Sequence, residues 1–315
     1  MLRSAFERWL TNRLPATDAW QLTQRNVYIV PTKAGFAFAL TLLLMLVASI
    51  NYQLNLGYVL TFLLAGAGIV SMHLTHGTLR GLTLHLRPAQ PVFAGTPALL
   101  EIVITNPGRE RNALAVHFRD RAREGSSFAW SDVPQQGQAT VHVSFVPAAR
   151  GWHGVPLLVV ETVFPFGLFR AWTVWRPAGR VLAWPKPETP APALPASAAV
   201  AGAQPVAARE TGQEFDGVRH WRRGDPLRAV VWKKVAKTGE LVSRDAQRLG
   251  SRELWLEWTG TGGADGERRL SRLAAWVQAA DRAGVAYGLR LPGRELPPAL
   301  GDAHRRAVLD LLATY

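Results

Sequence analysis

The residues that offer the most chemistry lie close together, in 211–245, which read TGQEFDGVRHWRRGDPLRAVVWKKVAKTGELVSRD. The carboxylates of Glu214 and Asp225 and the guanidinium of Arg219 could serve acid/base chemistry on an anionic substrate if the fold placed them in one cleft. A helix cap by Asp225 and ion pairs with the neighbouring arginines account for the same carboxylates structurally. The second interpretation requires less of the fold.

The same segment is strongly basic. Asp225 followed by Pro226 predicts a helix start, because the Asp side chain caps free amides and Pro fits the first helical position. Cations and two tryptophans are interleaved along the segment, a composition that is also found in nucleic-acid binders. These residues are Arg219, Trp221, Arg222, Arg223, Arg228, Trp232, Lys233, Lys234 and Lys237.

Other recognisable chemistry is missing from the sequence. It contains no Gly-x-x-x-x-Gly-Lys-Ser/Thr, His-Glu-x-x-His or Gly-x-Ser-x-Gly motif, and we expect no cofactor. The absence of Cys excludes disulfides, thiolate metal sites and cysteine nucleophiles. The 36 Lys and Arg against 23 Asp and Glu give a net charge of +13. This surplus suits an anionic lipid surface, a nucleic acid or an acidic protein.

A stretch of 46 residues, 34–79, contains no Asp, Glu, Lys or Arg, although 19% of the chain is charged. Its apolar runs, 34–50 and 56–74, can each cross about 30 Å of hydrocarbon at ~1.5 Å per residue. We predict a transmembrane hairpin at 34–76 after a cytoplasmic N-terminal segment, 1–33. Because the flanking cations lie outside an uncharged turn, the positive-inside rule places both termini in the cytoplasm. These cations are Arg3, Arg8, Arg13, Arg25, Lys33, Arg80 and Arg87.

Residues 77–184 consist of short alternating runs that are typical of β-strands. Seven runs predict an immunoglobulin-like β-sandwich. They are 79–86, 98–105, 114–119, 139–145, 157–162, 169–175 and 181–184. We interpret the aromatic cluster at 164–169, FPFGLF, as core and corner packing.

Residues 185–210 are rich in Pro and Ala without apolar periodicity, which predicts a linker. The remainder, 211–315, contains the basic segment and then a strand at 253–258, a helix at 266–283, a strand at 285–291 and a helix at 302–313. This order implies a parallel strand pair, in a unit too short for a complete doubly wound domain. The predicted fold class is therefore α+β with membrane helices.

With these motifs the chain resembles the bacterial family called domain of unknown function 58. The matching positions are Gly212, Glu214, Phe215, Arg219, Trp221, Gly224, Asp225, Arg228, Trp232, Lys233 and Ala236. Short members of this family are similar in having a membrane hairpin, a β-sandwich with a PFGLFRAW-like segment and a truncated von Willebrand A-like tail. The resemblance implies a non-enzymatic protein of the inner membrane, encoded beside a MoxR-type AAA ATPase and a transglutaminase-like membrane protein.

The resemblance also identifies one candidate metal site. Von Willebrand A domains can bind Mg²⁺ through Asp-x-Ser-x-Ser after their first strand, and the corresponding residues here are Glu257, Thr259 and Thr261. The oxygen types and the spacing persist, but Glu is longer than Asp and the truncated half would have supplied further ligands. We expect the metal site to be lost.

Three functions remain open on the sequence. The leading hypothesis is a multi-pass inner-membrane adaptor or scaffold that binds cytoplasmic proteins, with a MoxR-type AAA ATPase and a transglutaminase-like membrane protein as the candidate partners. The second is an enzyme that uses a cleft of Glu214, Arg219 and Asp225. The third is a binder of nucleic acid or anionic lipid, although basic residues beside the anionic inner leaflet explain the charge without a nucleic acid.

Overall fold

The fold was analysed in a computed structural model. It describes residues 14–120, 128–195, 254–262 and 265–315, and the backbone of 218–220 and 242–244. The chain divides into two units, Met1–Lys186 with Leu312–Tyr315, and Pro187–Leu311. The first unit contains a helical hairpin and a β-sandwich, and the second contains a small α/β sheet.

Two antiparallel helices form the hairpin, α1 (Lys33–Asn51) and α2 (Asn55–Leu79). Their mean hydropathies are 2.1 and 1.6, so both are long and apolar enough to cross a membrane. Close helix approach is made possible by glycines, because a Cβ on Gly57 would lie 2.3 Å from the Ser49 hydroxyl and one on Gly68 would lie 3.2 Å from the Phe38 ring. These two contacts place the start of α1 level with about residue 73 of α2.

Five Ser and Thr hydroxyls in the two helices are satisfied by the helices themselves, whereas the buried Ser71 hydroxyl has no hydrogen-bond partner among the described residues. Five side chains donate to the carbonyl oxygen four residues earlier, so they present little polarity to an apolar environment. They are Thr41, Ser49, Thr61, Thr75 and Thr78. The last turns of α2 pack against the sandwich, where Thr75, Thr78 and Leu79 are buried.

The sandwich is built from three sheets. One has the order β1-β3-β5-β8, the second has the order β2-β11-β10-β6-β7, and a smaller one has the order β4-β12-β9. The strands are β1 (Ala19–Gln21), β2 (Tyr28–Pro31), β3 (Thr83–Leu86), β4 (Val92–Phe93), β5 (Ala98–Thr105), β6 (Arg111–Phe118), β7 (Ala129–Val133), β8 (Gln138–Phe145), β9 (Gly151–Gly154), β10 (Leu158–Thr162), β11 (Phe169–Trp175) and β12 (Arg180–Trp184). All pairings are antiparallel except that of β4 with β12.

The two larger sheets share one hydrophobic core, which confirms the predicted β-sandwich. Leu100 and Ile104 of β5 face Phe118 of β6 and Val160 of β10 within it. Strands β1 and β2 were not predicted, because three or four residues are too few to establish an alternating pattern. They extend each sheet with a piece of chain that precedes the helices, so the hairpin is inserted between strands of the sandwich.

The second unit contains a three-stranded sheet, β15-β16-β17. Strands β15 (Leu254–Glu257) and β16 (Tyr287–Leu291) are parallel and are connected by α3 (Gly266–Arg282), as the sequence predicted. Strand β17 (Arg294–Ala299) was missed, because its sequence RELPPA contains two prolines. It pairs antiparallel with β16, and the helix α4 (Asp302–Thr314) follows.

Two short strands lie within the basic segment, 211–245. Strand β13 (Val218–His220) pairs antiparallel with β14 (Val242–Arg244), and Arg219 is opposite Ser243. His220, at the end of β13, is therefore opposite Val242, at the start of β14.

Candidate functional site

The helical hairpin is joined to the sandwich by hydrogen bonds at the start of α1. Thr32 separates β2 from α1, and its hydroxyl accepts the amide hydrogen of Gly35 at 3.1 Å as a helix cap. The same hydroxyl donates to the carbonyl of Gly167 at 2.6 Å, and the Thr32 amide donates to the carbonyl of Leu168 at 2.9 Å. The first turn of α1 is thereby attached to the loop between β10 and β11.

Residues 163–168 form the loop of the β-hairpin made by β10 and β11, and we call this loop the hairpin tip. It is distinct from the helical hairpin of α1 and α2. Gly35 is buried against the hairpin tip so closely that a Cβ would lie 2.1 Å from the carbonyl oxygen of Leu168. Burial was predicted for the aromatic cluster, and this prediction is wrong for Phe164 and Phe166, whose exposed fractions are 39% and 65%. Since the tip extends beyond the sandwich beside α1, the shared core cannot cover these two rings.

Strand register distinguishes two ends of the sandwich. At the helix end, Thr83 follows α2 and pairs with Thr105, which in turn pairs with Gln138. At the far end, seven residues earlier in β5, Ala98 pairs with Phe145. At ~3.4 Å per residue the two ends are separated by roughly 24 Å.

A cleft of about 310 Å³ lies beside the end of β3 that is remote from α2. Leu86, at the end of β3, lies on one side of the cleft, and Trp152 and Arg180 lie on the other strands that line it. The ring of Trp152 is 59% exposed, and Arg87 is exposed beside it in an ion pair with Glu101 at 3.0 Å. Exposed Trp and Arg side chains in a concave site are the residues that dominate protein interfaces. Sequence reasoning missed this site, whose one local signal is a Trp between the glycines of GWHG.

A polar cluster lies on the β6–β10–β11 sheet, where Glu161 accepts from the guanidinium of Arg170 (Nε to Oε2, 2.7 Å). The imidazole of His117 is buried. Its Nδ1 lies 2.8 Å from the carbonyl oxygen of Phe118, which only accepts, so Nδ1 carries the hydrogen. Its Nε2 lies 3.5 Å from Glu161 Oε2, which is too long for a good hydrogen bond.

Burial by itself raises the pKa of Glu161, but the hydrogen bond and positive charge of Arg170, together with the nearby imidazole of His117, outweigh burial and lower this pKa below its ordinary value. The carboxylate is thus held in its charged form, in contact with a guanidinium. This arrangement is that of a structural ion pair, which fixes β10 against β11 on the outer side of the sandwich.

Two of the three candidate metal residues have other partners for their side-chain oxygens. The Glu257 carboxylate accepts from Arg290 at 3.0 Å, and the buried Thr261 hydroxyl donates to the carbonyl of Trp258 at 2.6 Å. Thr259 begins the 3₁₀ turn Thr259–Thr261 between them. Among the described residues, no group of three or more His, Asp and Glu side chains could hold a metal ion.

The first part of the predicted linker is held on α3. Glu188 makes a two-pronged ion pair with Arg272, with distances of 2.8 and 3.0 Å, and the indole of Trp276 donates to the carbonyl of Ala193 at 2.9 Å. Residues 187–193 therefore belong to the second unit, and their prolines serve as an extended strap across the helix.

Most of the basic signature segment lies outside the described residues. The enzyme hypothesis depends on three residues of this segment, Glu214, Arg219 and Asp225. Of these, only the backbone of Arg219, in β13, is described. The signature positions outside the described residues are Gly212, Glu214, Phe215, Trp221, Gly224, Asp225, Arg228, Trp232, Lys233 and Ala236.

Comparison with known proteins adds a partial likeness to a solved structure. No protein-family model matches the chain, and no curated protein sequence matches it. A solved structure, the ASH/PapD-like domain (PapD-like domain 7) of human CEP192, aligns with 30% of this chain and 85% of its own at 14% identity, with a TM-score of 0.17. The strand pairing and the shared core, not this likeness, define the sandwich.

Proposed function

We propose that this protein is a non-enzymatic adaptor of the bacterial inner membrane, with both termini in the cytoplasm. The observation that carries the proposal is the insertion of two apolar helices between strands of the sandwich. Strand β2 enters α1 through Thr32 alone, and α2 enters β3 after three residues. If the helices span the bilayer, the sandwich lies directly on its cytoplasmic surface, the side favoured by the flanking cations.

The cleft supports the adaptor role, because its lining residues lie away from the helix end of the sandwich: Leu86 is three residues beyond Thr83 along β3, and Arg180 follows the end of β11 that is remote from α1. A cytoplasmic protein can reach Trp152 and Arg180 there without meeting the bilayer. Arginine in such a site favours an acidic partner surface. The resemblance given above makes a MoxR-type AAA ATPase the partner to test first. In the second unit, the parallel β15–β16 pair supports the interpretation as a truncated von Willebrand A-like unit.

Membrane topology can be tested directly, since the chain contains no Cys. Single Tyr52→Cys and Tyr315→Cys variants place one thiol in the helical turn and one at the C-terminus. A membrane-impermeant maleimide added to spheroplasts should label the first variant only, and both after lysis. Labelling of the C-terminal thiol in intact spheroplasts would contradict the proposed orientation.

Partner binding needs purified components. We expect the full chain in nanodiscs to bind the MoxR-type ATPase of the same organism. Trp152→Ala should weaken binding by at least tenfold, equivalent to ~1.4 kcal/mol. Leu99→Ala is the matched control, because Leu99 is as exposed as Trp152 but lies outside the cleft. Absence of binding would refute this partner, and equal loss in both variants would refute the cleft as its site.

A further inference from the structure

We propose that the hairpin tip, residues 163–168, is a third membrane contact, which inserts Phe164 and Phe166 into the boundary between headgroups and acyl chains. The leaflet is the one that α1 enters. This inference rests on the proposed function, because it requires α1 and α2 to span the bilayer. It concerns the β-sandwich itself, which would then touch lipid with its own side chains.

The depth of the tip is set by its contacts with α1. The hydrogen bonds of Thr32 to Gly167 and Leu168, and the buried contact of Gly35 with Leu168, place the tip beside the first turn of the helix. The uncharged stretch of the chain begins at residue 34. The tip therefore lies where the apolar part of a spanning helix starts, which is the level of the bilayer interface.

The exposed surface of the tip is apolar. Residues 162–169 read TVFPFGLF without a charged residue, and Val163, Phe164 and Phe166 all have exposed side chains. Its backbone is closed by a hydrogen bond from the Gly167 amide to the Val163 carbonyl, at 2.8 Å. Exposure of the rings is thus a property of a closed loop, and a bilayer is the apolar phase next to it.

Polar anchors follow immediately behind the rings. Lys33 is exposed at the start of α1, and the partly exposed Arg170 is opposite Val30 in the β2–β11 pairing. Further from the tip in the same strand pair, the ring of Tyr28 packs on that of Trp172, with 5.1 Å between the ring centroids. Apolar rings at the tip, with cations and a Tyr–Trp pair nearby, are the types of side chain that are enriched at a membrane interface.

A third contact has a consequence for the adaptor. Two packed helices form a single narrow attachment, around which the sandwich could tilt. Insertion of the tip at one side of α1 restricts this tilt and keeps the far end of the sandwich pointing into the cytoplasm.

The experiment measures depth in the bilayer with the full chain. Single Phe166→Cys, Leu43→Cys and Val146→Cys variants are labelled with an environment-sensitive fluorescent maleimide and placed in nanodiscs of phosphatidylcholine and phosphatidylglycerol. Leu43 is exposed in the middle of α1, and Val146 is an exposed apolar residue after β8 at the far end. Bromine quenchers are introduced either near the headgroup end or near the methyl end of the acyl chains.

We expect the label at position 166 to be quenched more strongly by the shallow bromines than by the deep ones. The label at 43 should show the reverse order, and the label at 146 should not be quenched. Quenching at 43 with none at 166 would overturn the inference while leaving the membrane anchor intact. Absence of quenching at both 43 and 166 would overturn the anchor and the inference with it.

Discussion

The junction between α1 and the sandwich should not tolerate a single methyl group at Gly35. In a Gly35→Ala variant the new Cβ would lie 2.1 Å from the carbonyl oxygen of Leu168, whereas ordinary contacts begin at 3.4 Å. The obstacle is backbone on both sides, so no side chain can rotate to relieve it. The first turn of α1 must retreat from the hairpin tip by about 1.3 Å, the difference between these distances.

This retreat breaks the two hydrogen bonds from Thr32 to the tip. Their loss costs ~2 kcal/mol at ~1 kcal/mol each, and residual overpacking adds ~1 kcal/mol or more. The better helix propensity of Ala returns at most ~1 kcal/mol. We therefore expect a net loss of about 2 kcal/mol, which corresponds to a melting temperature lower by ~4–8 °C for a unit of this size.

The assay is thermal unfolding of the full chain in detergent, followed by tryptophan fluorescence. Gly66→Ala is the matched control, because Gly66 is also helical but a Cβ there would meet nothing within 4 Å. This control should melt at the same temperature as the parent or higher, because Ala adds up to ~1 kcal/mol of helix propensity. A Gly35→Ala variant that melts no lower than Gly66→Ala would refute the reasoning about the junction.

Four further predictions concern the rest of the molecule. Because the pKa of Glu161 is lowered in the folded state, its ion pair stabilises the fold fully above the unfolded pKa of ~4.3, and this stabilisation is lost as pH falls through the lower pKa of the folded state. The urea midpoint should therefore drop more between pH 7 and pH 3 in the parent than in Glu161→Gln, and equal drops would contradict the ion pair. The Tyr287 hydroxyl is buried without a partner among the described residues, and burial raises its pKa to about 12. Tyr287→Phe should therefore unfold at the same urea midpoint or higher, whereas Tyr287→Ala should lose ~3–5 kcal/mol; a large loss in the Phe variant would reveal a partner for the hydroxyl. Because Arg290 occupies the carboxylate of Glu257, calorimetric titration with Mg²⁺ should give no saturable heat at millimolar metal, and one-site saturation would restore the metal hypothesis. Arg219→Glu should weaken capture of the MoxR-type ATPase in a salt-dependent manner, and unchanged capture would remove the basic segment from the interface.

The helices and the α/β pair were predictable from the sequence, because their signals are local. An uncharged stretch of 46 residues can form few structures other than apolar helices. The stripe of apolar residues in 266–282 similarly determines α3 and the face it buries. Each pattern is contained within one element, so no knowledge of distant contacts was needed.

The junction, the hairpin tip and the cleft depended on tertiary structure, since each unites residues that are distant along the chain. Gly35 meets Leu168, and nothing around Gly35 in the sequence signals that contact. In the sequence, Phe164 and Phe166 look like core residues. They are exposed because the loop between β10 and β11 lies beside α1, outside the shared core of the sandwich. Trp152 of β9 and Arg180 of β12 line a cleft with Leu86 only because β3, which belongs to a different sheet, lies beside them. Periodicity reports which face of an element is apolar, but the partner of that face is chosen by long-range packing.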